Sequence, residues 1–341
     1  MYFLIISSWF YVEFDYRKNI NKLIKKEVYV NMVHYNNQDS LHRVFTLKGT
    51  IIRDISPQIL LYICVSTGMV IINHCYVEIN INQTPWVIVG GALGLLLVFR
   101  TNTAYDRYWE GRKLFGAIGG STRNLAVSFL SHWDSKGENT DQEKLKFLHL
   151  LIAFPKLAKQ HLRDEKGLSE VKDLFKLCSD KEKKLLIESN YLPITIVFML
   201  KTILSKGLRS GHLHPNIIIN MEADLNNLLT AIGGCDRIKA TPIPFAYFAH
   251  IKSLLIIFCG TLPIGLVDSL GWFTVLATTF ISFAFIGIEA IGVEIENPFG
   301  HDPNDLPLEG ICIGVETHLL YLYNQNNLLE SSALNSHKKI I

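Results

Sequence analysis

LGWFTVLATTFISFAFIGIEAIGV, residues 270–293, carries a single charged side chain, Glu289, among 24 positions. About 20 apolar residues in helical form cross the roughly 30 Å of a bilayer's hydrocarbon, so this stretch reads as a membrane span. Just before it, Pro244–Val267 is a second apolar run that carries Lys252 and Pro263. Only a short turn around 268–271 separates the two, and they are expected to form an antiparallel helical hairpin. An ionisable side chain inside a span is costly and is a functional candidate on that ground. The place of Glu289 near the helix end also allows a solvated carboxylate.

Two further runs lie upstream. Ile55–Ile72, ISPQILLYICVSTGMVII, has no charge, and its Pro57 stands near the start, where a missing N–H costs little. Trp86–Phe99, WVIVGGALGLLLVF, covers only about 21 Å at 1.5 Å per residue, too little for a simple lipid-facing span. Either its helix continues past Arg100 inside protein or it lies within a bundle. Its glycines let neighbouring backbones approach closely. Before the first span stand Arg17, Lys18, Lys22, Lys25, Lys26, Arg43, Lys48 and Arg53, and after the second Arg100, Arg107, Arg112 and Lys113. The linker 73–85 and the turn 268–271 hold no Lys or Arg. By the positive-inside rule both termini and the long insert after the second span face the cytoplasm.

The rest of the 341-residue chain agrees. It is 49% hydrophobic and only 19% charged, against about 25% charged in soluble domains. The net charge of +2 gives no case for a nucleic-acid partner. Cys64, Cys75, Cys178, Cys235, Cys259 and Cys312 are scattered without a CxxC pair, so neither a metal site nor a disulfide framework is expected; they read as small hydrophobes. The first 14 residues are apolar but begin without basic residues, a poor signal peptide, and Met32 is an alternative start.

The chain therefore divides into an N-terminal extension (1–40), two spans (41–103), a helical region (104–240), two more spans (241–294) and a C-terminal segment (295–341). Within the insert, helices are expected at 121–133, 144–160, 180–190 and 216–232. The apolar run 191–205 holds Pro193 and Lys201 and reads as a buried helix rather than a fifth span. No hydrolase triad, zinc-protease, phosphate-loop or dinucleotide motif is present, so the chain reads as neither an enzyme nor a cofactor protein.

Three blocks carry a family resemblance: GALGLLLVFRTNTAYDRYWEGRKLFG (91–116), GGCDRIKATPIPFAY (233–247) and IENPFGHDPNDLPLE (295–309). In order, and framed by four spans, they resemble the bestrophin-like family over roughly residues 40–320. The resemblance implies an all-α membrane protein in which four transmembrane helices and a cytoplasmic helical bundle assemble, as a homopentamer, around a central pore. It implies a passive channel for chloride, and with it bicarbonate, in the plasma (inner) membrane. A monovalent cation channel of the same fold is the alternative, and a non-conducting scaffold or a transporter comes after that.

Carried onto this chain, the family's apolar neck falls on Gly91, Leu95 and Phe99, where family members often have a larger apolar residue at the Gly91 position. Residues four apart share a helix face, and rings of Leu95 and Phe99 could gate by dewetting. A second constriction falls on Ile219, with Ile217 and Ile218 as competing registers. Arg100, Arg107 and Arg112 either raise anion concentration at a vestibule or anchor the cytoplasmic side by the positive-inside rule and pair with Asp106 or Glu110. Eukaryotic relatives bind Ca²⁺ where this chain has Asp302 and Asp305, but the run holds fewer acids than a six- to eight-oxygen calcium site wants, and a structural turn is the plainer reading.

Overall fold

A computed structural model describes residues 49–134 and 140–337. The expectations for 1–40, including Met32 as a start, lie outside the described residues. Ten α-helices and one 3₁₀ turn make up the described fold, with no strand among those residues. The helices are α1 (Ile52–Cys75), α2 (Thr84–His132), α3 (Thr140–Leu162), α4 (Lys172–Leu177), α5 (Asp180–Glu188), α6 (Leu192–Arg209), α7 (Pro215–Ala240), α8 (Phe245–Leu270), α9 (Phe273–Glu296) and α10 (Leu308–His337).

Four of them, α1, α2, α8 and α9, are long and apolar enough to cross a membrane. They share a core of Ile55, Tyr62, Leu93, Leu97, Leu255, Phe258 and Ile286. Their outer faces expose Leu60, Leu61, Leu276 and Phe280, side chains that suit lipid and not water. The second core lies away from this unit. There the later turns of α2 pack with α3, α6, α7 and α10 around Phe129, Phe147, Phe154, Leu200 and Leu225.

The short second run is explained by α2 itself, which continues without interruption for 49 residues. Arg100 and Arg107 do not end it, because both find partners inside the protein. The first helix starts at Ile52, three residues before the run read from the sequence, so Pro57 sits in its second turn. Pro57 cannot donate to the Arg53 carbonyl. The Ser56 hydroxyl donates to that oxygen instead, at 2.9 Å.

The hairpin between α8 and α9 turns on Gly271, at φ 53°, whose N–H meets the Val267 carbonyl at 3.0 Å. This left-handed conformation favours glycine. The 191–205 run is α6, buried along one side in the second core, and Lys201 reaches Glu222 at 2.5 Å. The 30-residue α10 was not foreseen in the C-terminal segment. All six cysteines are free thiols; Cys178, Cys235, Cys259 and Cys312 are buried, whereas Cys64 and Cys75 are exposed on α1.

Candidate functional site

The membrane half of α2 has two unlike faces. Leu93, Leu97, Arg100 and Ala104 are buried against the neighbouring helices, while Gly91, Leu95 and Phe99 are exposed. Leu95 is 58% and Phe99 56% exposed. At 3.6 residues per turn the two side chains point within about 40° of each other. An added Cβ at Gly91 would meet nothing within 4 Å, so this position leaves open space on the same side of the helix. The three positions therefore make one continuous, uncovered, uncharged strip.

Arg100, one residue beyond Phe99, turns the other way. It is 1% exposed, its Nη2 lies 2.6 Å from Glu296 Oε2, and its Nη1 donates to the Gly292 carbonyl at 3.3 Å. The other oxygen of Glu296, Oε1, accepts the Ile243 N–H at 2.9 Å. Arg107 donates to three main-chain carbonyls, those of Ile238 (2.7 Å), Thr241 (2.5 Å) and Glu296 (3.2 Å). These oxygens lie at the ends of α7 and α9, where helical carbonyls lack partners and a cation is favoured. The two arginines thus bolt α2 to α7 and α9. The pairing expected with Asp106 or Glu110 does not form; Glu110 pairs with Lys113 at 2.6 Å instead.

Ile219 is 68% exposed on α7, whereas Ile217 and Ile218 are partly buried against the second core. The two helices run antiparallel, since Gly234 faces Leu114 and the end of α7 meets Arg107. This register sets Ile219 level with about residue 129 of α2, roughly 45 Å beyond Phe99 along the helix.

Asp302 and Asp305 lie in the loop between α9 and α10, apart from the α2 strip. The Asp302 N–H donates to Asp305 Oδ2 at 2.7 Å. Burial pushes the Asp305 carboxyl up to about 7, and the nearby Asp302 and Glu294 charges add to the rise. Asn304 Nδ2 donates to Glu294 Oε1 (2.9 Å) and to the Gly49 carbonyl (3.2 Å), tying this loop to α9 and to the chain just before α1. Among the described residues no three His, Cys, Asp or Glu side chains converge as a metal-ligand set.

Glu289 is buried and pairs with Lys252 of α8 at 2.7 Å, so the two charges noticed separately in the hairpin neutralise each other. Sequence reasoning missed this pair and missed Glu296. The signal for Glu296 was its place in the 295–309 block, but nothing local names a partner 196 positions away.

Comparison with known proteins follows the same lines. A profile of the bacterial/fungal bestrophin protein family matches residues 32–321. The voltage-dependent anion channel-forming protein alr2987 of Nostoc sp. is 41% identical over 270 residues, covering 79% of this chain and 86% of its own. The corresponding protein sll1024 of Synechocystis sp. is 35% identical over 272 residues, covering 80% and 88%. A crystal structure of a bacterial bestrophin homolog from Klebsiella pneumoniae superposes with a TM-score of 0.72 at 27% identity, covering 79% of this chain and 98% of that one.

Proposed function

The chain belongs to the bacterial and fungal bestrophin family, and from that premise we propose that it is an anion channel subunit whose α2 helix lines the conduction path. The observation that carries this reading is the uncovered strip of Gly91, Leu95 and Phe99 on a helix whose opposite face is buried. Apolar side chains left bare next to a fully packed face need either lipid or copies of themselves to cover them. Arranged around an axis in a homopentamer, five Leu95 and five Phe99 side chains form a narrow apolar neck that gates by wetting and dewetting. Gly91 opens the mouth above them. Ile219 forms a second ring deep in the extramembrane bundle.

The relatives named as anion channel-forming proteins support anions as the cargo, with chloride as the first ion to test and bicarbonate as a second. The charge asymmetry of the loops supports placing both termini and the extramembrane bundle on the cytoplasmic side of a plasma (inner) membrane. Arg100 and Arg107 act in this reading as positioning residues that hold the neck helix. Asp302 and Asp305 act as a structural turn.

The test is planar-bilayer recording from the purified oligomer under a KCl gradient. A reversal potential on the chloride side, with conductance or gating altered by Leu95→Ala and Phe99→Ala, is the expected result. Silent bilayers from intact oligomers, or currents indifferent to both substitutions, would overturn it.

A further inference from the structure

Below the neck, the exposed face of α2 continues and changes character. Taking 100° per residue, Asp106 points between the directions of Leu95 and Phe99, about 10 Å farther along the axis. It is exposed, and its side chain makes no hydrogen bond or ion pair with any described residue. The basic groups expected to dominate this region are elsewhere engaged: Arg100 is buried on Glu296, and Arg107 is spent on three carbonyls. About two turns beyond Asp106, Lys113 is held by Glu110. The first uncompensated charge on the strip beneath the apolar neck is therefore negative.

We infer that Asp106 is a specificity-determining residue: a ring of its carboxylates under the neck raises the local cation concentration and weakens the pore's discrimination in favour of anions. This inference rests on the reading of α2 as the pore wall. Its physics is that rings of Asp or Glu favour cations, and that a charged, walled cleft concentrates counter-ions on the order of tenfold or more. The wild-type channel then passes some potassium with its anions. The other exposed charges near this level are Arg112 of α2, which points about 120° away from Asp106 around the helix, and Arg237 of α7; neither side chain makes a bond to a described residue. A bond from Arg237 to Asp106 across subunits would neutralise the ring, and it has a signature of its own.

The experiment measures reversal potentials in a KCl gradient for the wild type, Asp106→Asn and Asp106→Lys, alongside Phe99→Ala and Arg237→Gln, with oligomer size checked for each. The expected result is an intact oligomer and a reversal potential that moves toward the chloride equilibrium value in Asp106→Asn. A further move is expected in Asp106→Lys, with the chloride-to-potassium permeability ratio rising on the order of tenfold overall. An unchanged reversal potential in both, while Phe99→Ala alters conductance, overturns the role of Asp106 and leaves the pore reading standing. If Phe99→Ala is also without effect, the pore reading fails first. Loss of the oligomer in both Asp106→Asn and Arg237→Gln assigns Asp106 to a subunit contact and overturns the inference.

Discussion

Arg100 and Glu296, 196 positions apart in sequence, meet at 2.6 Å one residue past Phe99, and the same carboxylate holds the Ile243 N–H between α7 and α8. One acidic side chain thereby joins the middle of α2 to the junction of α7 and α8. Removing either partner leaves a charge in a buried site. Such losses cost about 3–5 kcal/mol, so Arg100→Met or Glu296→Gln should lower the thermal midpoint of the detergent-purified protein sharply. Lys176→Ala removes an exposed pair with Asp173 and is expected to leave the midpoint unchanged; equal shifts in all three would refute the assignment.

The Lys252–Glu289 pair lies between two membrane-spanning helices. Lys252→Met strands a buried carboxylate and should destabilise the protein. The double variant Lys252→Met with Glu289→Gln removes the stranded charge and should recover most of that loss, because replacing a buried pair by apolar or neutral groups is often close to neutral. A double-mutant cycle followed by thermal unfolding checks this. Additive losses would mean that the two charges do not act together.

Gly265 of α8 faces the Trp86 indole, and an added Cβ would sit 2.5 Å from its ring. Trp86 is also held through its Nε1–H, which donates to Thr261 Oγ1 at 3.1 Å. A rigid ring anchored in this way has little room to yield. Gly265→Ala should cost about 1–3 kcal/mol by overpacking and should shift the emission of Trp86, read against the variant Trp86→Phe. Gly233→Ala, where a Cβ meets nothing within 4 Å, is the matched control and should do neither.

Asp305 gives a pH dependence of definite sign. Its folded value of about 7 is raised mainly by burial, above the roughly 3.9 of an unfolded aspartate. Between these values the folded state binds more protons than the unfolded one, so its stability falls as pH rises from about 4 to 7. Asp305→Asn, which stays neutral, should flatten that part of the stability–pH curve. Parallel curves for the variant and the wild type would show that Asp305 titrates normally.

Much of this architecture was readable in the one-dimensional pattern. The spans at 55–72, 244–267 and 270–293 announce themselves because lipid demands long uncharged runs, and the turn between the last two because Gly271 permits its backbone. The 191–205 run was separable from a fifth span because Pro193 and Lys201 are poor company for lipid. The full length of α2 was not readable. Its middle carries Arg100, Asp106, Arg107 and Glu110, which look like a helix reaching water, and only the distant Glu296 and the carbonyls of α7 and α9 explain why the arginines stay inside. The 30-residue α10 was missed for a different reason. Its Asn- and Ser-containing later turns dilute the signal of Cys312, Val315 and Leu319, which are buried one after another along a single face. On the candidate site, Gly91, Leu95 and Phe99 came from the family resemblance, with which a spacing of four residues on one helix face agrees, whereas the inward turn of Arg100 and Arg107 depended on tertiary partners that no local pattern names.

The unbroken length of α2 sets how such a subunit can move. Its 49 residues form one rod about 73 Å long, with no proline beyond its first turn. Rotation of a rod about its axis carries every side chain on it through the same angle. A twist that swings Phe99 aside must also turn the far end of α2, some 45 Å away, against which α7, the helix that carries Ile219, is packed. In the proposed pore, the rings of Phe99 and Ile219 then behave less like separate doors than like cams on a single shaft, with one torsional degree of freedom shared between membrane and bundle.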